Sequence, residues 1–221
     1  QADVGSTISV TASYTDGEGT AETVSSGATS AVANINDLPT GSVTISGTAT
    51  QGQTLTAENT LADADGLGTL SYQWKRAGTA ISGATSSTYS LTQADVGSTI
   101  SVTASYTDGE GTAETVSSSA TSAVANINDA PTGSVSISGT ATQGQTLTAE
   151  NTLADADGLG TISYQWKRDD SAISGATSST YSLTQADVGS TISVTVSYTD
   201  GEGTAETVSS SATSAVANIN D

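Results

Sequence analysis

Residues 93–116 read QADVGSTISVTASYTDGEGTAETV. From Thr99 to Tyr106 every second residue is apolar (Ile100, Val102, Ala104, Tyr106), and Ser or Thr fills the places between. A period of two is the mark of a strand with one face turned inward. Asp108-Gly109-Glu110-Gly111 then supplies turn chemistry, and the chain returns on a last strand through Glu114 to Ala125. The opening QADVGSTISV recurs at Gln1, Gln93 and Gln185, a period of 92 residues. The unit 37–128 differs from the unit 129–220 at only seven positions: 38/130, 44/136, 70/162, 77/169, 78/170, 79/171 and 104/196. Residues 1–36 read as the closing third of one more copy. Ninety-two residues are too many for a solenoid unit that borrows its core from neighbours, and they suit a self-contained sandwich of about 100 residues.

Working back from Gln93, the rest of the unit falls into short strands. Residues 42–46 (SVTIS), 53–57 (QTLTA), 70–76 (LSYQWKR) and 87–92 (STYSLT) alternate or run apolar between Gly-, Asn- and Asp-rich breaks. Alternation puts Leu55 and Ala57, then Leu70, Tyr72 and Trp74, then Tyr89 and Leu91 on inward faces. Residues 79–83 read as a short edge segment and 93–97 as a tight corner. No helical period occurs. The expected architecture is all-β: tandem immunoglobulin-like, Greek-key β-sandwiches, with boundaries at 1–36 (last strands of a repeat), 37–128 and 129–221.

Composition excludes several functions. With 23 acidic and 4 basic side chains, the formal charge is −19. Such a surface repels phosphate backbones and anionic headgroups, so neither nucleic acid nor a membrane is an expected partner of this segment. Cys and His are absent, which removes thiol catalysis, zinc and copper sites and Ser-His-Asp triads. Asp63 and Asp65 form a carboxylate pair, but such pairs catalyse only in a cleft with tuned pKa values, and near-identical copies argue for length, not chemistry. The expectation is a non-enzyme with no obligate oligomer. Trp74 and Tyr72 read as core, and Lys75 and Lys167 as solvated.

SYQWKR, then ISGATSSTYSLTQADVGSTISVT, then YTDGEGTAETV, closed by NINDAPTG, together resemble the immunoglobulin-like extender repeats of giant RTX-type adhesins of Gram-negative bacteria. The resemblance covers the whole chain. It implies a spacer between a cell-anchored end and a ligand-binding tip, type I secretion, extracellular display on the cell surface, a part in biofilms, and calcium at or near the domain junctions. NINDAP at residues 126–131 is also similar to the calcium-binding linker of cadherins, departing from it at Asn126, where cadherins usually carry Asp.

Topology brings the acids together. In an immunoglobulin-like sandwich the loops after the second and sixth strands lie at the pole where the linker enters. For the unit 37–128 this gathers Asp37, Asp63, Asp65, Asp108 and Glu110, and for the next unit Asp129, Asp155, Asp157, Asp200 and Glu202. Asp3, Asp95, Asn36 and Asn128 are weaker candidates. Two unit charges about 6 Å apart in water repel by roughly 0.7 kcal/mol, so five together cost several kcal/mol unless neutralised. Oxygen-only ligands on irregular loops favour Ca2+. The partners expected are calcium ions and neighbouring repeats, and the function expected is a calcium-stiffened extender. The opposing readings are that Asp-Gly pairs serve only as turns, and that Thr- and Ser-rich faces bind carbohydrate or ice.

Overall fold

A computed structural model describes residues 1–219 and separates the chain into two compact units, Gln1–Ala125 and Asn126–Asp221. These limits differ from the sequence boundaries at both ends of the first full repeat. Residues 1–36 go with the module that follows, because the Gln1 amide bonds Asp37 and Asp65 and the Asn36 amide bonds Glu114. Residues 126–128 likewise go with the second module, where the Asn128 amide donates to Glu206.

In the first unit a hairpin, β1 (Thr11–Thr15) and β2 (Ala21–Ser25), precedes seven strands: β3 (Val43–Ser46), β4 (Thr54–Asn59), β5 (Ser71–Arg76), β6 (Thr79–Ala80), β7 (Thr88–Ser90), β8 (Ile100–Thr107) and β9 (Ala113–Ser117). These seven form a three-stranded sheet, β3-β4-β7, and a four-stranded sheet, β6-β5-β8-β9, all antiparallel. β9 ends earlier than the alternation suggests. The chain then stays beside β8, with the N–H groups of Ser118, Thr121 and Val124 donating to the carbonyls of Val102, Ile100 and Ser98, and Ala125 and Val124 form isolated parallel bridges to Thr50 and Val96. The second unit repeats the plan in β10 (Val135–Ser138), β11 (Thr146–Asn151), β12 (Ser163–Arg168), β13 (Ser171–Ala172), β14 (Thr180–Ser182), β15 (Ile192–Thr199) and β16 (Ala205–Ser209). Two facing antiparallel sheets of three and four strands make each module an immunoglobulin-like β-sandwich.

The core sits where the alternation places it. Ile100, Val102, Ala104 and Tyr106 of β8 are all buried, and the residues between them are half-buried. Trp74 on β5 pairs with Val102 in register, stacks on Tyr89 at 5.8 Å between ring centroids, and donates its indole N–H to the Ser86 carbonyl at 2.8 Å. That bond satisfies the one polar atom the ring carries into the core. Leu55, Leu91 and Val43 close the cluster from the opposite sheet side. Each such aliphatic side chain contributes about 1.5–3 kcal/mol of burial energy.

Candidate metal centre at the linker pole

Two loops and a linker meet at one end of each module. In the first, the β4–β5 loop and the β8–β9 turn approach until the Gly109 N–H donates to the Asp65 carbonyl at 3.0 Å. Glycine is required there. A Cβ on Gly109 would stand 2.6 Å from the Asp65 carbonyl oxygen, and one on Gly68 would stand 2.0 Å from that of Thr107. The linker joins through the Asp37 N–H, which donates to Asp65 Oδ2 at 2.6 Å. The second module repeats these contacts with Gly201, Asp157 and Asp129.

Around this meeting point the carboxylates are ordered by short-range bonds. Asp63 Oδ1 accepts from the Asp65 N–H at 2.9 Å, and its Oδ2 accepts from the Tyr106 hydroxyl at 2.6 Å. Asp108 Oδ1 accepts from the N–H groups of Glu110 and Thr112 and so ties the turn together. Asp65, Asp108 and Glu114 are buried, whereas Asp37 and Glu110 are exposed. Burial raises the Tyr106 phenol well above its ordinary value, helped by its bond to Asp63 and by the charges of Asp63, Glu114 and Asp108. One hydroxyl thus feels three carboxylates from three different segments. Tyr198 is raised by the same causes through Asp155, Glu206 and Asp200.

Some of these buried oxygens are left over. Asp108 Oδ2, Asp157 Oδ1 and Asp200 Oδ2 lie within the protein with no hydrogen-bond partner. A buried charged oxygen without a partner is costly, and it calls for a donor or a cation. Asp65 Oδ1 shows the alternative, since it takes the Gln1 amide at 2.5 Å. Among the described residues no three Asp or Glu stand close enough to hold an ion on carboxylates alone. Chemically the pole offers oxygen donors only, the set suited to a hard cation that takes further ligands from amides, backbone carbonyls or water.

The remaining sequence candidates divide. Asp3 is exposed. Asn36 and Asn128 stand at the pole with their amides on Glu114 and Glu206. Glu202 holds the β15–β16 turn through its backbone N–H. Asp95 is corrected. Asp95 is the last residue of a short 3-10 turn, Gln93–Asp95, wholly buried, and its oxygens accept from Arg76 Nε, the Tyr89 hydroxyl, and both the N–H and the hydroxyl of Thr92. No oxygen is left for a metal. Burial alone would raise its pKa, but the bonds from Thr92, Arg76 and Tyr89 outweigh it and hold the carboxyl below its ordinary range. Tyr106 and Glu114 were not singled out as site residues. Glu114 sits directly across from Tyr106 in the β8–β9 register, a pairing that the five-residue turn Asp108–Thr112 sets.

The fold and its pole define a class: tandem immunoglobulin-like β-sandwiches, each with an acidic, oxygen-lined end where the linker enters. No protein-family model matches the chain, and no curated protein matches it in sequence. Among solved structures it is similar to a Ca2+-stabilised adhesin that helps an Antarctic bacterium reach out and bind ice, at 13% identity and a TM-score of 0.35, over 97% of this chain and 57% of that one. It is also similar to a 1.5-MDa bacterial ice-binding adhesin, at 14% identity and a TM-score of 0.33, over 96% and 74% of the two chains. Domains of titin match at 15% identity and a TM-score of 0.31, over 96% and 75%. The chain thus spans little more than half the length of the first of these.

Proposed function

We propose that the chain is a structural extender of a bacterial cell-surface adhesin, in which calcium holds each linker against the pole of its own module. The observation that carries this reading is the set of buried, unpartnered carboxylate oxygens on Asp108, Asp157 and Asp200, at the place where the linker meets two loops. Near-identity of the repeats supports a role in which each copy adds length. The linker residues Ile127, Asn128, Asp129 and Ala130 are not stiff by themselves, and only Pro131 restricts its own φ. Asp129 already ties its N–H to Asp157, so an ion drawing in the leftover oxygens of Asp157 and Asp200 would lock the linker onto the module. Charge of one sign would keep near-identical modules from misassembling. Secretion and cell-surface display belong to the same proposal.

Small-angle scattering of the chain with calcium and with excess chelator tests it. The expected result is a broader distribution of dimensions on chelation, reproduced in calcium by Asp129→Ala with Asp157→Ala while each module keeps its strand signal. Identical scattering with and without calcium would remove the stiffening mechanism.

A further inference from the structure

The linker ahead of each module carries an Asn-Asp pair, Asn36-Asp37 and Asn128-Asp129. Both pairs lie outside any strand, and both asparagines are exposed. In each pair, two carboxylates reach the two nitrogens that one reaction of asparagine uses. The Asn128 side-chain nitrogen donates to Glu206 Oε1 at 2.8 Å, and the Asp129 N–H donates to Asp157 Oδ2 at 2.6 Å. The first module has the same two bonds at the same lengths, from Asn36 to Glu114 and from Asp37 to Asp65. The other described asparagines, Asn34, Asn59, Asn126, Asn151 and Asn218, each precede Ile or Thr. A β-branched neighbour is stiff and crowds its own backbone nitrogen. The chemistry is thus open at the two linkers and hindered at the other described asparagines.

We infer that Asn36 and Asn128 are sites of self-modification, where the next backbone nitrogen attacks the side-chain amide and the asparagine passes through a cyclic imide to aspartate or β-linked isoaspartate. At the second linker the Asp129 nitrogen forms a bond to Cγ of Asn128 while Asp157 takes the N–H proton. The Cγ–Nδ2 bond then breaks. The departing nitrogen takes a proton from water and leaves as ammonia, and Asp157 returns its own proton to the hydroxide so formed. A second water opens the imide at either carbonyl, which the exposure of Asn128 allows. The sum is asparagine and water in, ammonia and an acid out, with no cation and no other co-reactant. Asp157 Oδ2 stands within the reach that a general base needs. Glu206 acts by position: its bond to Nδ2 holds the amide beside the attacking nitrogen, so that a search becomes a fixed arrangement. Both products alter the linker. Aspartate puts a negative charge beside Glu206 where an amide donor stood, and the two repel. The β-linked form adds a carbon to the main chain and draws the Asp129 N–H away from Asp157.

The test ages the full chain at neutral pH in excess chelator, both folded and unfolded in guanidinium, and follows each asparagine by peptide mass and by the ammonia released. The expected result is conversion at positions 36 and 128 about tenfold or more faster in the folded chain than in the unfolded one, with positions 34, 59, 126 and 151 unconverted over the same time. Asp157→Ala should bring position 128 down to the unfolded rate or below and leave position 36 of the same molecule unchanged. Glu206→Ala should slow position 128 alone, by a smaller factor. Conversion at 36 and 128 that is no faster in the folded chain would overturn the inference, because the two bonds would then guard the amide instead of activating it. So would a folded Asp157→Ala chain that converts position 128 at the wild-type rate. Where Asp157→Ala unfolds the second module, Glu206→Ala carries the comparison, and an unchanged rate at position 128 overturns the inference as well.

Discussion

Asp187 and Asp200 lie in the same module, 0% and 6% exposed, and have opposite surroundings. Asp187 gives one oxygen to Arg168 and Tyr181, and the other to the N–H and hydroxyl of Thr184 and to Tyr181 again. Asp200 gives Oδ1 to two N–H groups of its turn and leaves Oδ2 with nothing. Burial costs both carboxylates their water. Only the first has been repaid in full within the protein. A saturated buried acid is held by the protein's own donors, and an unsaturated one keeps an oxygen able to accept a further bond. The same contrast holds in the first module between Asp95 and Asp108.

Breaking the saturated side should have the largest effect. Asp187→Ala strands Arg168, Tyr181 and the Thr184 N–H. Removing one partner of a buried pair costs about 3–5 kcal/mol. Arg168 keeps about a third of its side chain in water, so roughly 2–4 kcal/mol is expected, read as a fall of some 10–25 °C in the melting point of the second module. A fall below about 4 °C would mean that the pair is held for geometry, not stability. The pH profile has the same origin. Burial raises Asp187, but Thr184, Arg168 and Tyr181 together lower it below the ordinary value. Its contribution is therefore whole above the unfolded carboxylate value of about 3.9 and is lost as pH falls through the lower folded value. Tyr181, raised first by burial and then by Asp187, behaves oppositely: its contribution is whole below about pH 10 and is lost as pH climbs through the raised value. Chemical denaturation at several pH values should show the acid slope in the wild type and a shallower one in Asp187→Ala.

The unsaturated side should respond to calcium. With calcium at 100 times its dissociation constant, one site adds about 2.7 kcal/mol, so the wild type should melt several degrees higher in calcium than in chelator. Asp200→Asn should remove that gain. In chelator the same variant should be neutral or up to about 1 kcal/mol more stable, because it removes one of several crowded negative charges. Calorimetry of both proteins in both buffers decides the matter. An Asp200→Asn protein that keeps the full calcium shift would take the leftover oxygen out of the site.

This contrast marks where the sequence stops being readable. Alternation from Thr99 to Tyr106 named the four buried residues of β8 correctly, because facing in or out depends only on the period of the strand. Turn residues located the two acidic loops for the same local reason. The surroundings of Asp95 are not legible in that way, because they rest on Arg76 and Tyr89, which arrive from two other strands. Tyr106 was read as core, and its ring is buried, but alternation says nothing of the hydroxyl at the far end, which reaches past the core to Asp63. Periodicity gives faces. It does not give the reach of a long side chain or the saturation of a carboxylate.

The smallest effects should come from the turn between the third and fourth strands of each module, β5–β6 and β12–β13, where the modules differ most densely. Ala77-Gly78 in the first and Asp169-Asp170 in the second all have positive φ: 44° and 81°, then 45° and 64°. Two-residue hairpins of this kind want both residues left-handed, which suits the twist of the strands and favours Gly second. The first module has the better second residue. The second module has the better first residue, because Asp169 Oδ1 accepts from the Thr191 N–H at 2.9 Å and faces its hydroxyl at 3.1 Å. Its carboxyl is held below the ordinary range first by the Ser190 hydroxyl and then by Thr191. Each module therefore lacks what the other has. Asp170→Gly should stabilise the second module by about 0.5–1 kcal/mol through relief of the left-handed backbone. Ala77→Asp should raise the melting point of the first by roughly 1–3 °C near neutral pH, by giving Thr99 the acceptor that Thr191 has. That rise should vanish in acid, where the new carboxylate takes up its proton and becomes a poorer acceptor. Thermal melts of the two single variants and the double variant at pH 7 and pH 3 would settle it, and a loss of stability in either single variant at pH 7 would show that the turn is not where the modules trade.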